Sequence, residues 1–245
     1  MPRGVNTQDE GRIQGRNVVN ANSSNIVAPG IVTDGLVLHL DAGNYVSYPA
    51  SGTTWYDLSQ TVDRGVLNNG PTFSRDGGGC IVFDGTNDFV SSTKTVVPSL
   101  TEWSVSVWYL STDITSKLIF YVFSAVTGSG IYFGGNLSVD TFDRWGFFDG
   151  TNTFNNATST FVVTNKWYNL VVTKRGTTYN LYTNGVSSLS GTGVDLSVPD
   201  YNLGRRIDDF WYAKGQIAHA LLFNRALTPT EVAQNFNALR ARFNV

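Results

Sequence analysis

The chain has one cysteine, Cys80, so no intrachain disulfide can form. Its place in the apolar run Cys80-Ile81-Val82-Phe83 reads as a small buried hydrophobe rather than a nucleophile. Ionic side chains are scarce, 15% of 245 residues, where roughly a quarter is usual. With a net charge of −2 there is no basic field for a nucleic-acid backbone, and no nucleic-acid partner is expected. No apolar run approaches the ~20 residues of a transmembrane helix. The opening Met1-Pro2-Arg3-Gly4-Val5-Asn6 lacks the apolar core of a signal peptide. Histidine is confined to His39 and His219, each alone in an alternating stretch and read as structural.

What the chain does have is Asn, Thr, Ser, Gly and 13% aromatics, a composition suited to sheets and turns. Residues 1–33 stand apart. Their few apolar side chains are scattered among Arg3, Arg12 and Arg16, a composition that cannot bury enough surface to order itself. This segment is expected to be an extended arm that anchors to another protein, with the three arginines available for ion pairs across the contact.

From residue 34 onward strand follows strand. Leu36, Leu38 and Leu40 alternate with Val37, His39 and Asp41, and Trp103, Val105 and Val107 alternate with Ser104, Ser106 and Trp108. Trp167–Lys174 alternates too, placing Trp167, Asn169, Val171 and Thr173 opposite Tyr168, Leu170 and Val172. Leu118–Phe123 is apolar on both faces and predicts a central strand. Asn184-Gly185 closes a hairpin whose turn needs positive φ at both residues. Near the end, Thr228-Pro229-Thr230-Glu231 predicts a helix over 229–241, with Thr228 and Glu231 as a capping box and Leu227 and Val232 as a hydrophobic staple. Val232, Phe236, Leu239 and Phe243 recur at helical spacing, so one face should pack on the sheets.

Four pieces in order carry a resemblance. They are Asp34-Gly35-Leu36-Val37-Leu38-His39-Leu40-Asp41, then Ile81-Val82-Phe83-Asp84-Gly85-Thr86-Asn87-Asp88-Phe89-Val90, then the Trp167 to Gly185 hairpin, then the Gly215–Glu231 ending. Together they resemble the laminin-G-like jelly rolls of the concanavalin A-like lectin and glucanase superfamily over roughly residues 34–240. The resemblance implies an all-β fold: a two-sheet antiparallel β-sandwich over 34–245 with one C-terminal α-helix, preceded by the arm. Ser47-Tyr48-Pro49 and Thr53-Thr54-Trp55-Tyr56-Asp57-Leu58-Ser59 look like versions of this domain in tailed-phage structural proteins. That likeness implies a product made in the host cytoplasm and built into the virion surface as a capsid decoration or fibre-type protein. Its expected partners are other virion proteins through the arm, further copies of itself in a homo-oligomer, and cell-surface glycans. A free carbohydrate-binding module or adhesin is the alternative.

Glucanases of this superfamily cut sugars with paired carboxylates on one strand, about 5–5.5 Å apart in the retaining case. Here Glu10 lies in the arm, Glu102 stands alone before a strand, and Glu231 belongs to the cap. Asp208 and Asp209 are adjacent and so point oppositely in a strand. A glycoside hydrolase is therefore disfavoured, and no catalytic residue is assigned. Many relatives bind calcium in rim loops. Asp84, Asn87 and Asp88 offer hard oxygen ligands within five residues for a structural Ca²⁺, although the same residues make good turn chemistry by bonding their own backbone. Lectin sites on this fold use rim aromatics with Asn or Asp, which points to Asp143 and Trp145, and to Asp208, Trp211 and Tyr212. A ring would stack on the sugar while carboxylates bond its hydroxyls; core or subunit-contact roles for Trp145 and Trp211 fit the sequence equally.

Overall fold

The computed structural model describes residues 30–59, 63–92, 102–113, 120–121, 132–134, 146–148, 153–154, 162–192, 201–205 and 212–245. Its strands are β1 (Leu36–Asp41), β2 (Thr54–Tyr56), β3 (Arg64–Asn68), β4 (Thr72–Ser74), β5 (Cys80–Asp84), β6 (Phe89–Ser92), β7 (Glu102–Ser111) and β8 (Phe120–Tyr121). They continue with β9 (Tyr132–Gly134), β10 (Gly146–Phe148), β11 (Thr153–Phe154), β12 (Trp167–Arg175), β13 (Thr178–Thr183), β14 (Val186–Thr192), β15 (Asn202–Leu203) and β16 (Lys214–Phe223). One helix, α1 (Pro229–Leu239), follows. Every pairing is antiparallel, as the alternating strands and tight turns require. The large sheet runs β14-β13-β12-β7-β16-β5-β4, with β1 also paired to β16. A second sheet runs β15-β6-β3-β2 and a third β11-β10-β9-β8, with β8 next to β15.

The main core lies between the large sheet and the β15-β6-β3-β2 sheet. Leu38, Leu40, Val105, Val107, Tyr109, Leu170, Val172, Ala220 and Leu222 meet Trp55, Leu67, Val90, Tyr201 and Leu203 in one cluster. Each such side chain removed fully from water contributes about 1.5–3 kcal/mol. The alternation of β12 holds: Tyr168, Leu170 and Val172 face this core, while Trp167 and Val171 face the other side. The doubly covered strands are β7, β12 and β16, almost every residue of which is buried. Leu118–Phe123 was the expected central strand, but its described part, β8, is two residues at one end of a sheet and pairs only with β9 among the described residues. A short apolar run does not distinguish a central strand from an edge.

The outer face of the large sheet is roofed by the C-terminus. Thr228 Oγ1 accepts from the Glu231 N–H, and the Glu231 carboxylate accepts from the Thr228 N–H at 2.8 Å, so the capping box forms. Leu227 and Val232 share a buried cluster, as the staple requires. The helix stops at Leu239, two residues short of the expected end, and the chain tightens into a 3₁₀ turn, Arg240–Phe243. With that turn, the Phe243 ring stacks on Trp108 at 4.0 Å between centroids, and Arg242 lies against the sheet. The hairpin turn also forms, with Asn184 at φ 51° and Gly185 at φ 77°. Just before β1, the Val32 N–H donates to Asn235 Oδ1 at 2.7 Å and Gln234 Nε2 donates to the Gly30 carbonyl, so the segment entering the sandwich lies along α1.

Candidate functional site

Two places gather polar side chains. The first is a rim of the sandwich. Asp84 ends β5 and pairs with Lys214, the first residue of β16. The turn that follows folds on itself: Asp84 Oδ1 accepts from the N–H groups of Thr86 (2.7 Å) and Asn87 (3.4 Å), and Asp88 Oδ2 accepts from the Asp84 N–H (3.0 Å). Asn69 Nδ2 donates to the Asn87 carbonyl at 2.9 Å. Asp88 is buried, and that burial pushes its carboxyl above the ordinary range; the neighbouring Asp84 charge pushes the same way, against the Asp84 N–H bond. One carboxylate oxygen each of Asp84 and Asp88 is thus engaged with the turn's own backbone.

The Tyr212 segment reaches the same rim. Tyr212 is half-buried and bridges to Arg205, whose guanidinium stacks over the Phe89 ring at 3.7 Å. Gly204, at φ +85°, passes so close that a Cβ there would lie 2.6 Å from the Phe83 ring. Lys214 Nζ stands 4.0 Å from Asp113. The structure therefore brings Asp84, Asn87, Asp88 and Tyr212 together with Asn69, Arg205, Lys214 and Asp113. Asp143, Trp145, Asp208 and Trp211 lie outside the described residues, as do Arg3, Arg12 and Arg16.

The second place was not foreseen. The C-terminal half of β16 pairs with β1 and the N-terminal half with β5, so β16 changes partner on one side near Ala218. The Ala42 N–H bonds the Ala218 carbonyl at 2.9 Å there. The end of β1 and the start of β5 must pass very close, and Gly79, at φ +126°, allows it: a Cβ would lie 2.7 Å from the Ala42 carbonyl oxygen. Register then places Asp41 opposite His219, and alternation along β1 puts His39 on the same face as Asp41. The Nε2 atoms of His39 and His219 face each other at 3.1 Å, with the rings 5.0 Å apart and inclined at 61°. One ring nitrogen of each histidine and an Asp41 carboxylate oxygen all lie within 4.8 Å of one another.

Arg242 ties this junction down. It donates through Nη1 to Asp41 Oδ1 (2.6 Å), through Nη2 to the Gly79 carbonyl (2.8 Å) and through Nε to the Gly77 carbonyl. Asp41 Oδ1 also accepts from the Gly43 N–H at 2.9 Å, while Oδ2 has no hydrogen-bond partner among the described residues. Burial raises the Asp41 carboxyl, but the charges of His219 and Arg242 and the hydrogen bonds from Arg242 and Gly43 outweigh it, and the group titrates below its ordinary value. His219 is 1% exposed, and burial, helped by His39 and Arg242, drives its pKa down to about 3. Burial lowers half-buried His39 as well. Both rings are therefore neutral at pH 7 and keep a lone pair each. The Asp57 carboxylate accepts from the His39 N–H at 2.7 Å and fixes that end of β1. In the sequence the only available signal was His39 and Asp41 at alternate positions; nothing local connects them to His219, 180 residues from His39.

A family model described as the concanavalin A-like lectin/glucanases superfamily matches residues 84–233. Domain 4 of AbnA, a GH43 extracellular arabinanase from Geobacillus stearothermophilus solved in complex with arabinotriose, superposes with a TM-score of 0.64 at 18% identity, over 83% of this chain and 99% of that one. Trypanosoma rangeli sialidase in complex with a difluorosialic acid gives 0.63 at 16% identity, over 91% of this chain and 35% of that one. The botulinum neurotoxin serotype G binding domain gives 0.58 at 17%, over 82% of this chain and 50% of that one. The chain thus spans about a third of the sialidase and half of the toxin domain. No curated protein matches it by sequence. At these identities the likeness is one of fold.

Proposed function

The chain belongs to the concanavalin A-like lectin/glucanases superfamily, and from that premise we propose that it is a non-enzymatic glycan-recognition protein carried as a structural component of a phage particle. The observation that carries the glycan reading is the rim, where the Asp84–Asp88 turn, read from sequence as a calcium loop or a self-bonded turn, and the Tyr212 segment, read as a glycan-binding stretch, meet beside Asn69, Arg205 and Lys214. An aromatic ring with amide, carboxylate and cationic groups around it is the chemistry that grips a sugar's C–H face and hydroxyls. The domain of the arabinanase solved with arabinotriose has a similar fold over 83% of this chain and makes arabino-oligosaccharides the first ligands to try.

The non-enzymatic part is supported by how the carboxylates are used. Asp41 and Glu231 are held by arginines, and Asp57, Asp84 and Asp88 by backbone N–H groups. A general acid needs a free carboxyl beside a second one, and these are engaged. The particle is supported by the resemblance of residues 47–59 to tailed-phage versions of the domain and by the composition of the arm, which leads into the sandwich along α1. Among the described residues no helix is long and apolar enough to cross a membrane.

The test has two arms. Full-length protein on a glycan array and in titrations with arabinotriose should bind, and Tyr212→Ala should weaken binding roughly tenfold or more, about 1.4 kcal/mol. Absence of binding, or binding indifferent to Tyr212, would remove the glycan reading. Co-sedimentation with virions should retain the full chain and lose a 30–245 variant. If both stay in the supernatant while glycan binding persists, the free carbohydrate-binding module replaces the particle protein.

A further inference from the structure

The geometry points to a site for a divalent late first-row transition metal, of the Zn²⁺ type, ligated by His39 Nε2, His219 Nε2 and a carboxylate oxygen of Asp41 at the junction of β1 and β16. It does not rest on the glycan reading, since it uses none of the rim residues.

The chain has two histidines in all, and the fold brings both to one point with the same ring nitrogen turned inward, 3.1 Å apart. An ion ~2.1 Å from each nitrogen would subtend an N–metal–N angle of roughly 95°, within what an imidazole-bound metal accepts. Asp41 supplies the third ligand from within 4.8 Å. Its Oδ1 is engaged with Arg242 and Gly43, and Oδ2 has no hydrogen-bond partner among the described residues. Imidazole with carboxylate suits Zn²⁺, Cu²⁺, Ni²⁺ and Co²⁺, whereas Ca²⁺ wants six to eight oxygens. In the hydrogen-bonded pair one ring carries its proton on Nε2 and the other on Nδ1. Binding needs only that the first ring move its proton to Nδ1, so no proton is released. Three protein ligands leave an open position, which water would fill.

The surroundings favour a rigid site. His219 is fixed in a central strand, Asp41 is held from behind by Arg242, and the backbone of His39 is anchored by its peptide N–H to Asp57. His39 and Asp41 are only half-buried, which leaves an entry path from solvent.

The experiment uses tag-free, full-length protein, stripped with a chelator and titrated with Zn²⁺ by calorimetry and with Co²⁺ by visible absorption. One ion per chain is expected, with Ca²⁺ failing to compete and with a rise in Tm on Zn²⁺ addition. His39→Gln keeps the buried strand intact and removes one ligand. It should weaken Zn²⁺ binding by more than the roughly 10–100-fold that loss of an outer-shell partner costs and should abolish the Tm rise. Because the protein's imidazole nitrogens belong to these two histidines alone, ¹⁵N spectra of the wild type give a readout free of any folding change, and Zn²⁺ should shift the Nε2 resonance of both. Overturning results are no saturable Zn²⁺ or Co²⁺ binding, equal affinity in His39→Gln, or Nε2 resonances unmoved at saturation. Any of these would leave the pair as a neutral hydrogen bond joining two strands.

Discussion

Asp84 and Asp88 sit in one turn and hydrogen-bond that turn's own N–H groups, whereas His39, Asp41 and His219 come from strands near opposite ends of the chain and turn two ring nitrogens and a carboxylate toward one point. The first group is dense in sequence and engaged in structure. The second is dispersed in sequence, and its groups meet one another and Arg242 across the fold. A run of Asp, Gly, Thr and Asn satisfies its own backbone cheaply, because its polar atoms lie within reach of donors two to four residues away. Side chains on separate strands find most of their partners far away in sequence, as His39 finds His219 and Asp41 finds Arg242. What they meet is decided by register, and here by the changeover of β16 from β5 to β1.

The sharpest way to separate the two regions is to lift the roof from one of them. Phe243 is 4% exposed, stacked on Trp108 and against Trp167. Phe243→Ala should cost about 3–5 kcal/mol through lost burial and the cavity left behind, measured by denaturant unfolding. Arg242 is the next residue, so the junction should loosen with it, and amide exchange at Asp41 and His219 should rise. The rim lies elsewhere on the sandwich, and glycan affinity per folded molecule should stay unchanged. Equal disturbance of both regions would mean that they are mechanically one.

Asp88→Ala probes the rim at a smaller scale. It removes the buried carboxylate that accepts from the Asp84 N–H, in a turn whose other residues are largely exposed, and should cost about 1–3 kcal/mol. The loss should be the same with Ca²⁺ as with a chelator, because the carboxylate already serves the backbone. A loss seen only with Ca²⁺ present would turn the rim into the metal-binding region and reverse the comparison.

Local patterns carried most of the fold. Thr228-Pro229-Thr230-Glu231 announced the helix start, Asn184-Gly185 the hairpin, and the period-two stretch from Trp167 the two faces of β12, since each depends on atoms a few residues apart. The helix end was less legible. It depends on Arg242 finding Gly77, Gly79 and Asp41, all distant in sequence. The doubly covered strands were only partly legible, because Ser104, Ser106 and Asn169 are polar and yet sit on buried faces. The fold satisfies them with partners such as the Leu227 N–H, which Ser104 Oγ accepts, and Ser106 Oγ, which Asn169 Nδ2 reaches. Of the candidate sites, the turn residues could be located from sequence but not their engagement, and the histidine pair could not be found at all without the strand order.

The smallest effect concerns the helix that roofs the junction and carries a sign that depends on pH. Thr228→Ala removes the oxygen that accepts from the Glu231 N–H and the hydroxyl that donates to the Glu231 carboxylate, and should cost about 1 kcal/mol near neutral pH. Glu231 is held down to about 2, chiefly by hydrogen bonds from Arg225, with Thr228 contributing. A carboxyl depressed in the fold stabilises it fully above its unfolded value near 4.5, and that stabilisation drains away as pH falls toward 2. Unfolding curves of wild type and Thr228→Ala should therefore lie furthest apart above pH ~5 and converge toward pH 2, where a protonated Glu231 no longer rewards the Thr228 donors. The pair is partly exposed, so added salt should shrink the pH-dependent part and leave the remainder, which belongs to the Thr228 acceptor alone. A gap that stays constant from pH 7 to pH 2 would show that the box acts only through Thr228 and that Arg225, not the cap, sets the charge of Glu231.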